Sequence, residues 1–161
     1  MGGQVIMLTI SSPEFKNNEN LPAKFTGDGE NISPALNWEN TVPNTKSFTV
    51  IMDDPDAPTG LFTHWIIFNI PPESNSLPEA VPNNLELEDG SLQGKNTAGT
   101  IGYYGPYPPV GPPHRYQFHL YAMDKVIDAR PGASRKEVLE AMRGHIIFST
   151  FITGFYQRMR R

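Results

Sequence analysis

The sequence predicts a mainly β protein, and three observations predict it. Four apolar or alternating runs, Phe48 to Met52, Thr63 to Ile70, Tyr116 to Met123 and Ile146 to Phe155, are rich in the β-branched and aromatic residues that fit a pleated surface. Sixteen prolines and fourteen glycines are spread through the 161 residues without low-complexity bias, so they punctuate short segments and do not form a linker. Only one segment carries a helix signature. The length suits one domain over residues 1–161, and neither an internal repeat nor a composition shift divides it.

Along the chain, Phe48 to Met52 reads as a strand running into the turn-rich loop Asp53-Asp54-Pro55-Asp56-Ala57-Pro58, after which a second strand opens at His64. Pro71 to Gly94 is polar and weakly patterned, which predicts a long surface excursion. A second turn-rich loop, Gly105-Pro106-Tyr107-Pro108-Pro109, leads through Gly111-Pro112-Pro113 to a strand opened by His114-Arg115-Tyr116. Ser134 and Glu137 have capping-box spacing ahead of Val138, Leu139, Ala141 and Met142, so a short amphipathic helix is expected there, stopped at Gly144. His145 to Tyr156 is too rich in Ile, Phe and Thr to continue it and reads as a closing strand.

Residues two apart on a strand point to the same face. His114 and Tyr116 therefore face together with Phe118 and Leu120, while Arg115, Gln117 and His119 face the other way. On the earlier strand the same rule groups His64 with Ile66, Phe68 and Ile70. Each histidine then sits at the polar end of an apolar stripe, delivered by a matched loop.

Composition excludes several function classes. With no cysteine there are no disulfides, thiolate nucleophiles or cysteine-ligated metals. A formal net charge of -4 argues against a duplex nucleic-acid binder, and the only basic cluster, Arg158, Arg160 and Arg161, reads as a solvated tail. The N-terminal Met1 to Ile6 lacks the basic region and apolar run of a signal peptide, and no stretch is long enough for stable membrane insertion. A cytoplasmic protein is expected.

The paired loops can support binding chemistry. A neutral histidine donates one hydrogen bond and accepts another, whereas a protonated one is a cationic double donor suited to an oxyanion. Asp54 or Asp56 behind a ring would fix its tautomer. Gly105 would let backbone amides approach an anion, Tyr116 would add a hydroxyl, and the prolines would stiffen the rim. Arg115, on the far face, is expected to make a structural ion pair with one of the aspartates.

The two segments resemble the signatures of the phosphatidylethanolamine-binding protein family, the Raf kinase inhibitor protein-like family. Asp54-Pro55-Asp56-Ala57-Pro58 with His64 is similar to its first conserved region, and Gly105-Pro106-Tyr107-Pro108-Pro109 with His114-Arg115-Tyr116 to its second. The likeness extends from Asn31-Ile32-Ser33-Pro34-Ala35-Leu36-Asn37-Trp38 to Tyr156-Gln157-Arg158 and favours the compact bacterial and archaeal branch. The resemblance implies a β-sandwich of antiparallel-dominated sheets with a few short peripheral helices and an anion pocket at one end. It implies ligand contacts from Asp54, His64, Gly105, Pro108, His114 and Tyr116, with Asp56, Pro58 and Arg115 supporting them from behind, and no metal, cofactor or catalytic residue.

The function expected is a non-catalytic receptor for a small anion: phosphate, phosphoethanolamine or a carboxylate. The alternatives are an inhibitor of a serine protease or protein kinase, with the 71–94 excursion as contact surface, and a metal-dependent hydrolase using two histidines and a carboxylate. An exposed sheet edge would also permit a symmetric homodimer.

Overall fold

In a computed structural model, residues 5–159 are described; Met1 to Gln4 of the N-terminal segment, and Arg160 and Arg161 of the basic tail, lie outside them. In chain order the strands are β1 (Leu8–Ser11), β2 (Glu19–Asn20), β3 (Leu36–Asn40), β4 (Ser47–Asp54), β5 (Phe62–Ile70), β6 (Ser76–Leu77), β7 (Leu92–Gln93), β8 (His114–Met123) and β9 (Ile146–Tyr156). A 3-10 turn spans Ala23–Phe25, and helix α1 (Arg135–Met142) separates β8 from β9. The strands form a three-stranded sheet, β1-β3-β6, and a six-stranded sheet, β2-β9-β8-β4-β5-β7. Among the described residues all pairings between these strands are antiparallel except that of β2 with β9. The fold is the mainly β sandwich the sequence predicts.

Two apolar layers hold it together. Leu8, Ile10, Leu36, Trp38 and Leu77 from the small sheet meet Phe48, Val50, Met52, Trp65, Phe118 and Leu120 from the large one. On the large sheet's outer face, Val138 and Met142 of α1 cover Ile51, Ile66, Phe68 and Met123. The helix starts as its sequence predicts: the Ser134 side chain accepts from the Glu137 amide, and the Glu137 carboxylate accepts from the Ser134 amide. Gly144, with φ of 79°, then takes the left-handed conformation that turns the chain into β9.

The alternation rule fails on β5, because that strand is bulged twice. Phe48 pairs with Ile70 and Val50 with Ile67, so three steps on β5 answer two on β4; Met52 pairs with Trp65 and Asp53 with Thr63, so two steps answer one. At the first bulge Asn69 adopts φ of 54° and exchanges hydrogen bonds with the backbone of Ile127. Each bulge changes which face the strand presents. Trp65, Ile67 and Ile70 therefore enter the core between the sheets, while Ile66 and Phe68 lie under α1. His64 is the extra residue of the second bulge, so it does not share a face with Ile66 and Phe68 as strict alternation predicts.

The 71–94 stretch is not simply a surface excursion. β6 extends the small sheet and β7 the large one, and Leu77, Val81, Ser91 and Gln93 are buried. Gln93 anchors it: its Oε1 accepts from the Trp65 indole at 2.8 Å, and its Nε2 donates to the carbonyls of Pro82 and Asn84. No described helix is long and apolar enough to cross a membrane.

Candidate functional site

The two turn-rich loops meet at one end of the sandwich, where β4, β5 and β8 lie side by side. They enclose a cavity of about 200 Å³, the size of a small anion or headgroup. Asp54, His64, Pro108, His114 and Tyr116 line it, and Pro58, expected to support the wall from behind, lines it as well. Ala57, Phe62, Tyr104, Tyr107 and Pro109 complete the wall.

The acidic loop divides its three aspartates among three tasks. Asp53 points to the outer face, where it accepts from Thr63 Oγ1 at 2.7 Å and Arg135 at 3.0 Å. Asp54 points into the cavity wall. Its Oδ1 caps the turn by accepting from the Asp56 amide at 2.8 Å, and its Oδ2 accepts from His114 Nδ1 at 2.7 Å. Of the two candidates for the carboxylate behind a ring, Asp54 takes the role, and Asp56 pairs with Arg115. Asp56 accepts from the Arg115 backbone amide, Nε and NH2, a fork that ties the first loop to the start of β8. Those bonds hold the Asp56 carboxyl down at about 2.

His64 is oriented by the other loop. Tyr104 donates its amide to the His64 carbonyl at 2.9 Å, and the Tyr104 carbonyl accepts from His64 Nδ1. The ring lies against Phe62 with centroids 4.6 Å apart and meets Tyr116 edge-on at 5.3 Å. Burial pushes the imidazole below its ordinary value, against smaller opposing pulls from Tyr104, Asp54 and Asp53. Burial first, and then the charge of Asp54, raise the Tyr116 phenol, so it remains a hydrogen-bond donor at neutral pH.

Gly105 does not line the cavity. Its amide is already committed to Asn31 Oδ1 at 2.9 Å, so it has no donor to offer an anion. A Cβ at this position would lie 2.0 Å from Asn31 Oδ1 and 2.8 Å from the Phe25 carbonyl oxygen. Glycine is required here for close packing behind the wall. Arg158 is also not part of a solvated tail. Its guanidinium stacks on the Tyr107 ring at 3.8 Å, donates to the Tyr107 hydroxyl at 2.9 Å and pairs with Asp28, whose carboxylate also accepts from Tyr156. The chain after β9 thus buttresses the Tyr107 side of the cavity. Among the described residues no group of three or more histidine, aspartate or glutamate side chains is arranged to hold a metal ion.

Two of these groups make stability pH-dependent in the same direction. His64, kept neutral by burial, gains its proton only on unfolding as pH falls below its ordinary 6.5. The unfolded state then binds more protons, and stability declines with falling pH by up to ~1.4 kcal/mol per unit. His119, also lowered by burial, adds to that trend. Asp56 contributes stability that is fully present above 3.8 and is lost as pH falls toward about 2; its partial exposure holds this to ~1 kcal/mol. Urea midpoints should fall between pH values of about 7 and 5 and again below about 4. A flat profile across the first window would show that His64 titrates as freely folded as unfolded.

Comparison of sequence and structure with known proteins points to one family. A family model described as phosphatidylethanolamine-binding protein matches residues 11–157. A protein of Methanothermobacter thermautotrophicus called UPF0098 protein is 50% identical over 151 residues, covering 94% of this chain and 99% of the relative. The crystal structure of a putative phosphatidylethanolamine-binding protein homologue from Chlamydia trachomatis superposes with a TM-score of 0.86 at 35% identity, covering 96% of this chain and 99% of that one. That of Escherichia coli YbcL, described as a member of the mammalian PEBP family, gives 0.87 at 33% identity, covering 94% and 98%. With the family model matching residues 11–157 and relatives similar across nearly the whole length, the chain belongs to the phosphatidylethanolamine-binding protein family.

Proposed function

We propose that the protein is a non-catalytic receptor for a small phosphate- or carboxylate-bearing anion. The observation that carries this reading is the His114 ring, lining a small cavity with Nδ1 held by the Asp54 carboxylate and Nε2 without a hydrogen-bond partner among the described residues. When that ring carries both protons, Asp54 holds one N–H and the Nε2–H faces the cavity as a charge-assisted donor suited to an oxyanion. Tyr116 supplies a second donor.

The wall offers little for catalysis. Among the described residues no serine, threonine or lysine side chain lines the cavity to act as nucleophile, and both Asp54 oxygens are engaged in orienting other groups. The proline-rich rim and the Asp56–Arg115 fork make the cavity preformed, so little ordering entropy opposes binding. Titration with inorganic phosphate and phosphoethanolamine, followed by calorimetry and by the ring resonances of His64, His114 and Tyr116, tests the reading. Saturable shifts confined to these residues are expected. No response at concentrations on the order of tens of millimolar would overturn it.

A further inference from the structure

The two pocket histidines are not chemically equivalent. On His64, Nδ1 faces the Tyr104 carbonyl oxygen, which can only accept, so the proton of the neutral ring resides on Nδ1. Its Nε2, with no hydrogen-bond partner among the described residues, is then an acceptor. On His114, Nδ1 faces a carboxylate, so a doubly protonated ring keeps one N–H on Asp54 and presents its Nε2–H to the cavity as a donor.

The surroundings maintain the difference. The titratable and charged groups around the His64 ring are Asp53 and Asp54 from β4, His114 and Tyr116 from β8, and Tyr104 from the second loop. Burial outweighs the attraction of both aspartates, and a charge on His114 disfavours one on His64. Tyr116 is in ring contact with both histidines, with centroids 5.3 Å and 6.3 Å away. The cavity thus presents donors on the β8 side and an acceptor on the β5 side.

Resting on the anion-receptor reading above, we propose that the pocket selects an oxyanion that still carries a P–OH proton: a phosphomonoester monoanion or dihydrogen phosphate. Its charged oxygens accept from His114 and Tyr116, and its P–OH donates to His64 Nε2. A phosphodiester, sulfate or ionised carboxylate has no proton to give, and its oxygen would face the His64 lone pair across a buried gap, an unfavourable contact. An intact phospholipid, whose headgroup phosphate is a diester, is therefore a poorer ligand than a free phosphomonoester.

Calorimetric titrations at about pH 6, where phosphomonoesters are half singly protonated, compare matched pairs. Phosphoethanolamine should bind at least about tenfold more tightly than glycerophosphoethanolamine, and phosphate than sulfate, the worth of one charge-assisted hydrogen bond. His64→Gln, whose amide can turn an N–H toward the ligand, should shrink both ratios to within about threefold. Imidazole ¹⁵N spectra of the unmodified protein should show His64 as the Nδ1–H tautomer. Equal binding within each pair, the opposite tautomer, or unchanged ratios in a folded His64→Gln would overturn the selectivity and leave an unselective anion receptor. If none of the four anions binds, the receptor reading falls as well.

Discussion

Replacing Asp54 by alanine is expected to weaken phosphate binding by about a hundredfold or more and to destabilise the fold by about 2–4 kcal/mol. The residue is almost fully buried and serves two structures at once, capping the turn at Asp56 and fixing His114. Without it the His114 Nδ1–H is left buried and unpaired. The loop that carries Asp56 to Arg115 also loses its internal cap. Asp54→Asn separates the two effects, because an amide oxygen can still accept from the Asp56 amide while the charge behind the imidazole is gone. It should recover most of the stability, read as a urea midpoint, but little of the affinity, read by calorimetry. An Asp54→Asn protein that binds phosphate as the unmodified one does would show that the carboxylate's charge does not tune His114.

Trp65→Ala should cost about 3–5 kcal/mol, the largest loss expected of any single truncation in this core. The indole is fully buried between the sheets, meets Tyr103 edge-on at 5.6 Å and donates to Gln93. Its loss leaves a cavity beside β5 and an unpaired amide oxygen on the residue that tethers the 71–94 stretch. Trp65→Phe keeps most of the volume and removes the donor, so about 1–3 kcal/mol of the effect should persist from the stranded Gln93 oxygen. Equilibrium urea unfolding of both variants checks this. Equal stability of Trp65→Phe and the unmodified protein would mean that the Gln93 contact is dispensable.

Much of the site was legible because β8 is a regular strand. His114, Tyr116, Phe118 and Leu120 alternate inward as simple periodicity predicts, and Arg115 on the opposite face finds Asp56. β5 was not legible in the same way. No residue announces that His64 is the extra residue of a bulge, since bulges are fixed by pairing with β4 and not by local sequence. Gly105 was readable as a place where a side chain is not tolerated. The reason, an Asn31 carboxamide more than seventy positions upstream, is tertiary. Phe62 carried a usable signal, lying two residues before His64 in an aromatic-rich run, but Tyr104 did not, because its place depends on backbone bonds to β5. Arg158 looked like one of several solvated charges until Tyr107 and Asp28 were found beneath it.

The stacking of Arg158 on Tyr107 has a consequence for how the molecule reports occupancy. The cavity draws on residues 54 to 64, 104 to 116 and, through this buttress, 158, so its walls close only when strands remote in sequence have assembled. The cavity therefore exists only in the assembled fold. An anion that binds only the finished cavity then opposes global unfolding, by about 2.7 kcal/mol at a hundred times its dissociation constant. Thermal shift across a panel of small phosphorylated compounds is therefore a direct test of the proposed receptor, with melting temperature standing in for affinity.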